Sequence, residues 1–108
     1  MPVFFEFRQY RLMPGKSAEW VKFTEDEMIP FQSSKGMVII GSWLNETDPE
    51  DYYWLRRFES EAERERLYKA VYEHPTWVND LGPRVRTMID VNQIKVTRLT
   101  STPRSVVQ

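Results

Sequence analysis

The stretch Phe5-Glu6-Phe7-Arg8-Gln9-Tyr10-Arg11-Leu12-Met13-Pro14-Gly15-Lys16 decides the fold. It reads as one alternating strand, closed by a Pro-Gly turn that feeds a helix. Side chains alternate across a pleated strand, so Phe5 and Phe7 share one face while Glu6, Arg8, Tyr10 and Leu12 share the other. A face carrying a carboxylate, a guanidinium and a phenol is unusual for plain core.

Working outward, Ser17 is available as a helix N-cap, and Trp20, Val21, Thr24, Met28 and Phe31 form the apolar stripe of a helix ending near Ser34. Pro30 removes a backbone donor late in that helix, which predicts a kink near Ile29 to Phe31. Gly36 is its natural stop. Residues 36–47 read as a second strand with two apolar faces, joined through the polar loop 45–51 to a third strand, Tyr52 to Phe58. In that third strand Tyr52, Trp54, Arg56 and Phe58 share a face.

Ser60-Glu61-Ala62-Glu63 is a capping-box sequence and starts a second helix that His74-Pro75 ends. Trp77, Leu81, Val85 and Met88 then mark a further helix broken at Gly82-Pro83, and residues 90–100 are the last strand. The resulting order, βαββαβ, predicts an α+β, ferredoxin-like domain over residues 1–100 with a four-stranded antiparallel sheet. Residues 101–108 read as an arm or a disordered tail. Such a sheet carries helices on one face only. With Trp54 and Phe58 assigned to the other face, a second subunit covering them predicts a homodimer.

Composition narrows the classes. A 108-residue chain supports one core and buries roughly two-thirds of its unfolded surface. A net charge of -1 implies no bulk attraction to nucleic acid or acidic membrane. The third strand also lacks the glycine of an RNA-recognition motif, so no nucleic-acid partner is expected. No apolar run is long enough to span a bilayer, and no membrane partner is expected. Zero cysteines rule out disulfides and thiolate metal sites and are compatible with a reducing compartment. The Met1-Pro2-Val3-Phe4 start lacks the features of a signal peptide, which predicts a cytoplasmic protein. No metal-ligand spacing, phosphate loop or serine-hydrolase motif is present, so neither metal nor cofactor is expected.

The segments Phe5-Glu6-Phe7-Arg8-Gln9-Tyr10, Pro14-Gly15-Lys16, Pro30, Arg57-Phe58-Glu59-Ser60-Glu61-Ala62-Glu63-Arg64 and Pro75-Thr76-Trp77 together resemble the NIPSNAP family. The resemblance spans residues 4–99. It implies a dimeric α+β barrel, two ferredoxin-like subunits facing each other through their sheets. The wider group with that architecture includes cofactor-independent monooxygenases, haem-handling enzymes, lyases and isomerases, beside many proteins of no assigned activity. Family members often carry an aromatic residue where this chain has Arg56. If that position lines a pocket, the departure implies a more polar or anionic ligand.

Candidate site residues follow from residue chemistry. Arg8 and Tyr10 can hold an anionic or carbonyl end of a small molecule, since guanidinium groups bind carboxylates and phenols donate to oxyanions. Arg56 can join them, with Trp54 and Phe58 as an apolar wall. The competing role for these polar residues is a cross-strand network with Glu6 that seals the sheet or a dimer seam. His74, the sole histidine, is a candidate proton carrier alongside Tyr10; its ordinary role is to cap or pack a helix end. Tyr68 and Tyr72 read as a lid or as plain helix surface. Two functions therefore stand: a small-molecule-binding protein, with cofactor-free oxygenase, isomerase or lyase chemistry open to it, and a non-catalytic homodimer.

Overall fold

The computed structural model describes residues 2–108. Strand β1 is Phe4–Leu12, followed by helices α1 (Ser17–Phe23) and α2 (Ile29–Ser34), which a π turn at Thr24–Met28 joins. Strands β2 (Val38–Leu44) and β3 (Asp51–Phe58) form a hairpin. Helix α3 (Glu61–Tyr72), a second π turn at Trp77–Leu81, helix α4 (Gly82–Met88) and strand β4 (Ile89–Leu99) complete the chain. The sheet is antiparallel in the order β2-β3-β1-β4, as the βαββαβ reading requires.

Both π turns have one cause. A proline inside a helix lacks a donor and its ring crowds the carbonyl four residues back. At both places the residue before the proline bonds five residues back instead: Ile29 donates to the Thr24 carbonyl and Gly82 to the Trp77 carbonyl. The widened turn absorbs the proline and the helix continues. Thus the expected kink at Pro30 lies one turn earlier, and the expected break at Gly82-Pro83 is a π turn leading into α4.

Register fixes the two faces of the sheet. Phe4, Glu6, Arg8 and Tyr10 stand opposite Phe58, Arg56, Trp54 and Tyr52, and this set faces the helices. The apolar core lies there in two clusters, one around Trp20, Tyr52 and Trp54 and one around Phe58, Leu67 and Val71. The assignment of Trp54 and Phe58 to the uncovered face is therefore corrected: both face the helices, and Phe5 and Phe7 face away from them. Phe7 and Tyr53 instead stack on the open face with centroids 5.8 Å apart. Strand β2 is an edge strand whose Val38, Ile40 and Trp43 are exposed, not a strand covered on both sides.

The C-terminal residues are ordered against the open face. Arg57 Nε donates to the Gln108 carbonyl at 2.8 Å, and Ser101 Oγ donates to the Val107 carbonyl at 2.6 Å. This return of the chain shelters Phe5, which is 3% exposed although it points away from the helices. Among the described residues no helix is long and apolar enough to cross a membrane.

Candidate functional site

The polar centre of the molecule is a carboxylate-guanidinium pair between layers. Glu6 on β1 and Arg56 on β3 are direct cross-strand partners, and both are essentially solvent-free. Burying two charges is costly unless each is paired and fully hydrogen-bonded. Helix α3 supplies the missing partners. Its N-cap is Ser60, whose hydroxyl accepts the Glu63 amide at 3.1 Å, while the Glu63 carboxylate takes the amide of Glu59 rather than that of Ser60. The cap fixes the helix phase. Residues four apart share a helix face, so Arg64, Tyr68 and Tyr72 all reach the pair.

The contacts are dense. Arg56 Nη2 donates to Glu6 Oε1 at 2.7 Å and to Tyr68 Oη at 2.8 Å; Nη1 donates to Gln32 Oε1 at 3.0 Å and to Tyr72 Oη at 2.7 Å. Arg64 Nε donates to Glu6 Oε2 at 2.8 Å, and Tyr68 donates to the same carboxylate at 2.6 Å. The Arg56 guanidinium also lies 4.6 Å from the centre of the Trp54 ring. Burial opposes ionisation of Glu6, yet hydrogen bonds from Arg64 and Tyr68 and the charge of Arg56 outweigh it and hold its pKa at about 2. Burial, opposed by Arg56 and helped by the bond to Glu6, pushes the Tyr68 phenol up to about 12. Glu6 is therefore a saturated anion at neutral pH and a poor base.

Arg8 differs from Arg56 in what it has left over. Its Nε donates to Tyr10 Oη at 3.0 Å and its Nη1 to Tyr68 Oη at 3.3 Å, while Nη2 has no partner among the described residues. Its side chain keeps 15% exposure. Two phenolic protons nearby are also free of acceptors among the described residues, because Tyr10 and Tyr72 only accept from arginines. Burial raises the Tyr10 pKa against the opposing charge of Arg8, so its proton stays on at neutral pH. Deeper in, Trp54 Nε1, Arg56 Nε and Gln32 Nε2 are buried donors without partners. The charge count agrees with this excess of donors. Arg8, Arg56, Arg64 and Arg98 surround only Glu6 and Glu61, two positive charges in excess.

The structure thus brings Arg8, Tyr10, Trp54, Arg56 and Phe58 into one cluster with Glu6. Phe58 and Trp54 are fully buried and back the arginines. His74 makes other contacts: its Nδ1 accepts the Thr76 amide at 3.0 Å and its ring meets Phe31 edge-on at 5.2 Å. Tyr68 and Tyr72 belong to the cluster instead of forming a lid or a solvated surface. Sequence reasoning also passed over Gln32, which α2 delivers from the far side; the Arg64, Tyr68, Tyr72 spacing was the available signal for the rest. Among the described residues no group of three or more His, Asp or Glu is placed to hold a metal ion.

The family model for NIPSNAP matches residues 5–104. A NIPSNAP family protein of Agrobacterium tumefaciens superposes with a TM-score of 0.88 at 22% identity, covering 98% of this chain and 99% of that one. A second Agrobacterium tumefaciens family member, described as of unknown function, gives 0.87 at 26% identity over 99% of this chain and 95% of that one. A putative antibiotic biosynthesis monooxygenase of Nitrosomonas europaea shares the fold with a TM-score of 0.70 at 8% identity, over 95% and 93% of the two chains. No curated protein matches the chain.

Proposed function

Because the chain belongs to the NIPSNAP family, one solved member of which is described as of unknown function, we propose a function from its own side chains: it binds a small aromatic or apolar molecule by an anionic or carbonyl end. The observation that carries this reading is the set of unspent donors at Arg8 Nη2, Tyr10 Oη and Tyr72 Oη, beside an arginine cluster with too few carboxylates. A carboxylate or enolate placed there receives a charged hydrogen bond and two phenolic ones. Arg56 acts from behind, holding Tyr68 and Tyr72 in place; His74, tied to Thr76, is left out of the binding set. Cofactor-free isomerase, lyase or oxygenase chemistry remains within this reading, with Tyr10 and Tyr72 as proton donors to a developing oxyanion.

The open sheet face supports the second half of the proposal, a homodimer. Trp43, Ile40 and Val38 are exposed there next to Phe7, Tyr53 and Leu55, an apolar surface large for a chain of this size. Light scattering at micromolar concentration should give twice 13.0 kDa. A mass of one chain would remove the dimer. The rival reading, a non-catalytic protein, is favoured by the four hydrogen bonds that the Arg56 Nη groups donate, which suit a structural tie.

Titration with phenylpyruvate, which offers both a carboxylate and a carbonyl, separates the two. Binding should weaken about tenfold or more in Arg8→Gln, the loss of one charged hydrogen bond. If phenylpyruvate and its reduced and decarboxylated relatives cause no saturable change at Arg8, Tyr10 or Tyr72, the ligand-binding reading fails and the structural one stands.

A further inference from the structure

Strand β4 leaves its helix-side face bare. Only Ile89 at its start is buried, because the two core clusters form over β3 and β1 and do not extend along the outer strand. Register places Val96 directly opposite Arg8, and alternation puts Ile94 and Arg98 on the same face as Val96. Ile94 and Val96 are 37% and 44% exposed. A molecule held at Arg8 can touch them. It cannot touch Trp54 or Phe58, the apolar wall expected from the sequence, which are 1% and 0% exposed behind the arginines.

The strip has a closed end and an open one. Beyond Val96, the Arg98 guanidinium stands over the Phe4 ring at 3.8 Å and holds Glu61 at 2.7 Å, and Glu61 also takes Arg64 at 3.3 Å. This bridge from β4 to α3 blocks that direction. On the other side β4 leaves register with β1: the two steps from Gln9 to Arg11 correspond to five on β4, from Lys95 back to Asp90, and Tyr10 has no partner there. Extra residues of this kind bend a strand away from its neighbour. The free path from Arg8 therefore runs over Val96 toward Ile94.

We propose that this strip is the apolar half of the ligand site and selects an aryl group carried one or two carbons from a carboxylate. The inference rests on the anion-binding reading of Arg8. Successive residues on one strand face stand roughly 7 Å apart, which matches one phenyl ring on a short tether. Two β-branched side chains make a stiff, flat surface. It suits a flat ring better than a flexible chain, whose ordering costs entropy. Because both side chains are half-exposed, the strip covers only one face of the ring, a burial worth about tenfold in affinity.

Titration of the intact protein with phenylpyruvate and pyruvate, followed in proton-nitrogen correlation spectra, tests this. Both acids should shift amides around Arg8; phenylpyruvate should also shift those of Ile94 to Thr97 and bind about tenfold more tightly. Val96→Thr, which keeps the branched shape, should cut that preference to about threefold, and the pair Ile94→Ser and Val96→Ser should abolish it. If the serine pair does not fold, Val96→Thr decides alone. Saturable binding of neither acid up to about 20 mM removes the Arg8 reading and this inference with it. Equal affinities for the two acids, or an undiminished preference in the variants, overturns the strip and leaves the Arg8 reading standing. A dimeric wild type beside a monomeric serine variant in light scattering assigns the strip to a subunit contact and overturns it as well.

Discussion

Replacing Glu6 by Gln should destabilise the protein by about 3 to 5 kcal/mol at neutral pH, the usual cost of stranding a buried charge. The structure supports that size independently. The Glu6 carboxyl is lowered from its ordinary 4.5 to about 2, although burial pushes the other way. At about 1.4 kcal/mol for each tenfold change, that difference amounts to about 3 kcal/mol of native-state preference for the ionised form. Because the folded pKa lies below the unfolded one, this stability is fully present above pH 4.5 and is lost as the pH falls toward 2. By about pH 3, some two-thirds of it, about 2 kcal/mol, should be gone. Gln cannot titrate, so the gap between wild type and Glu6→Gln should narrow by about that amount between pH 7 and pH 3. Urea unfolding of both proteins at the two pH values measures the gap, and subtracting one from the other cancels the other carboxylates. A cost below about 1 kcal/mol at pH 7, or a gap that stays constant on acidification, refutes the account of Glu6 as the charged hub of the fold.

Three further substitutions probe separate parts of the structure. Arg56→Lys should cost about 2 kcal/mol or more in urea unfolding, because three donors on a flexible stem cannot meet four fixed acceptors; Arg8→Lys, with few bonds to lose, should cost less than about 1 kcal/mol. Gly82→Ala puts a Cβ 2.9 Å from the Trp77 carbonyl oxygen, a backbone atom that cannot swing away, so a loss of about 1 to 3 kcal/mol is expected from thermal unfolding. Ser60→Ala removes the hydroxyl that accepts the Glu63 amide and should cost about 1 kcal/mol, with faster amide exchange confined to the first turn of α3.

The elements of this fold were legible where local chemistry acts alone. The alternation of β1, the turn after it at Gly15, which adopts φ 76°, and the Ser60 cap all appear where the residues place them. The faces of the sheet were not legible. Periodicity sorts Phe5 and Phe7 from Glu6 and Tyr10, but both sets carry aromatics, and nothing within β1 says which set meets helices. What decides it is pairing at long range: Glu6 can enter the helix-facing layer only because Arg56 stands opposite it and Arg64 and Tyr68 arrive from 58 and 62 residues later. Tyr68 and Tyr72 looked like surface for the same reason, since their hydroxyls bond to that distant pair. The C-terminal residues seemed free because their bonds go to their own backbone and to Arg57, a polar pattern with no periodic signature.

The two central arginines divide structure from function by their hydrogen-bond accounts. The four Nη protons of Arg56 have four acceptors on three different elements, so its charge is spent on joining α2, α3 and β1 to β3. An arginine so occupied cannot rearrange around a ligand without releasing Glu6, and the acidic shift of Glu6 shows how strongly that release is opposed. Arg8 sits two residues along the same strand face as Glu6, close enough to feel its charge at 3.7 Å, with one nitrogen uncommitted among the described residues. On the proposed function, the rigid pair would position the free guanidinium and the two phenols without competing for the ligand. A buried ion pair that stabilises little beyond an apolar substitute is then explained by what it holds in place, the donors at the edge of the cluster.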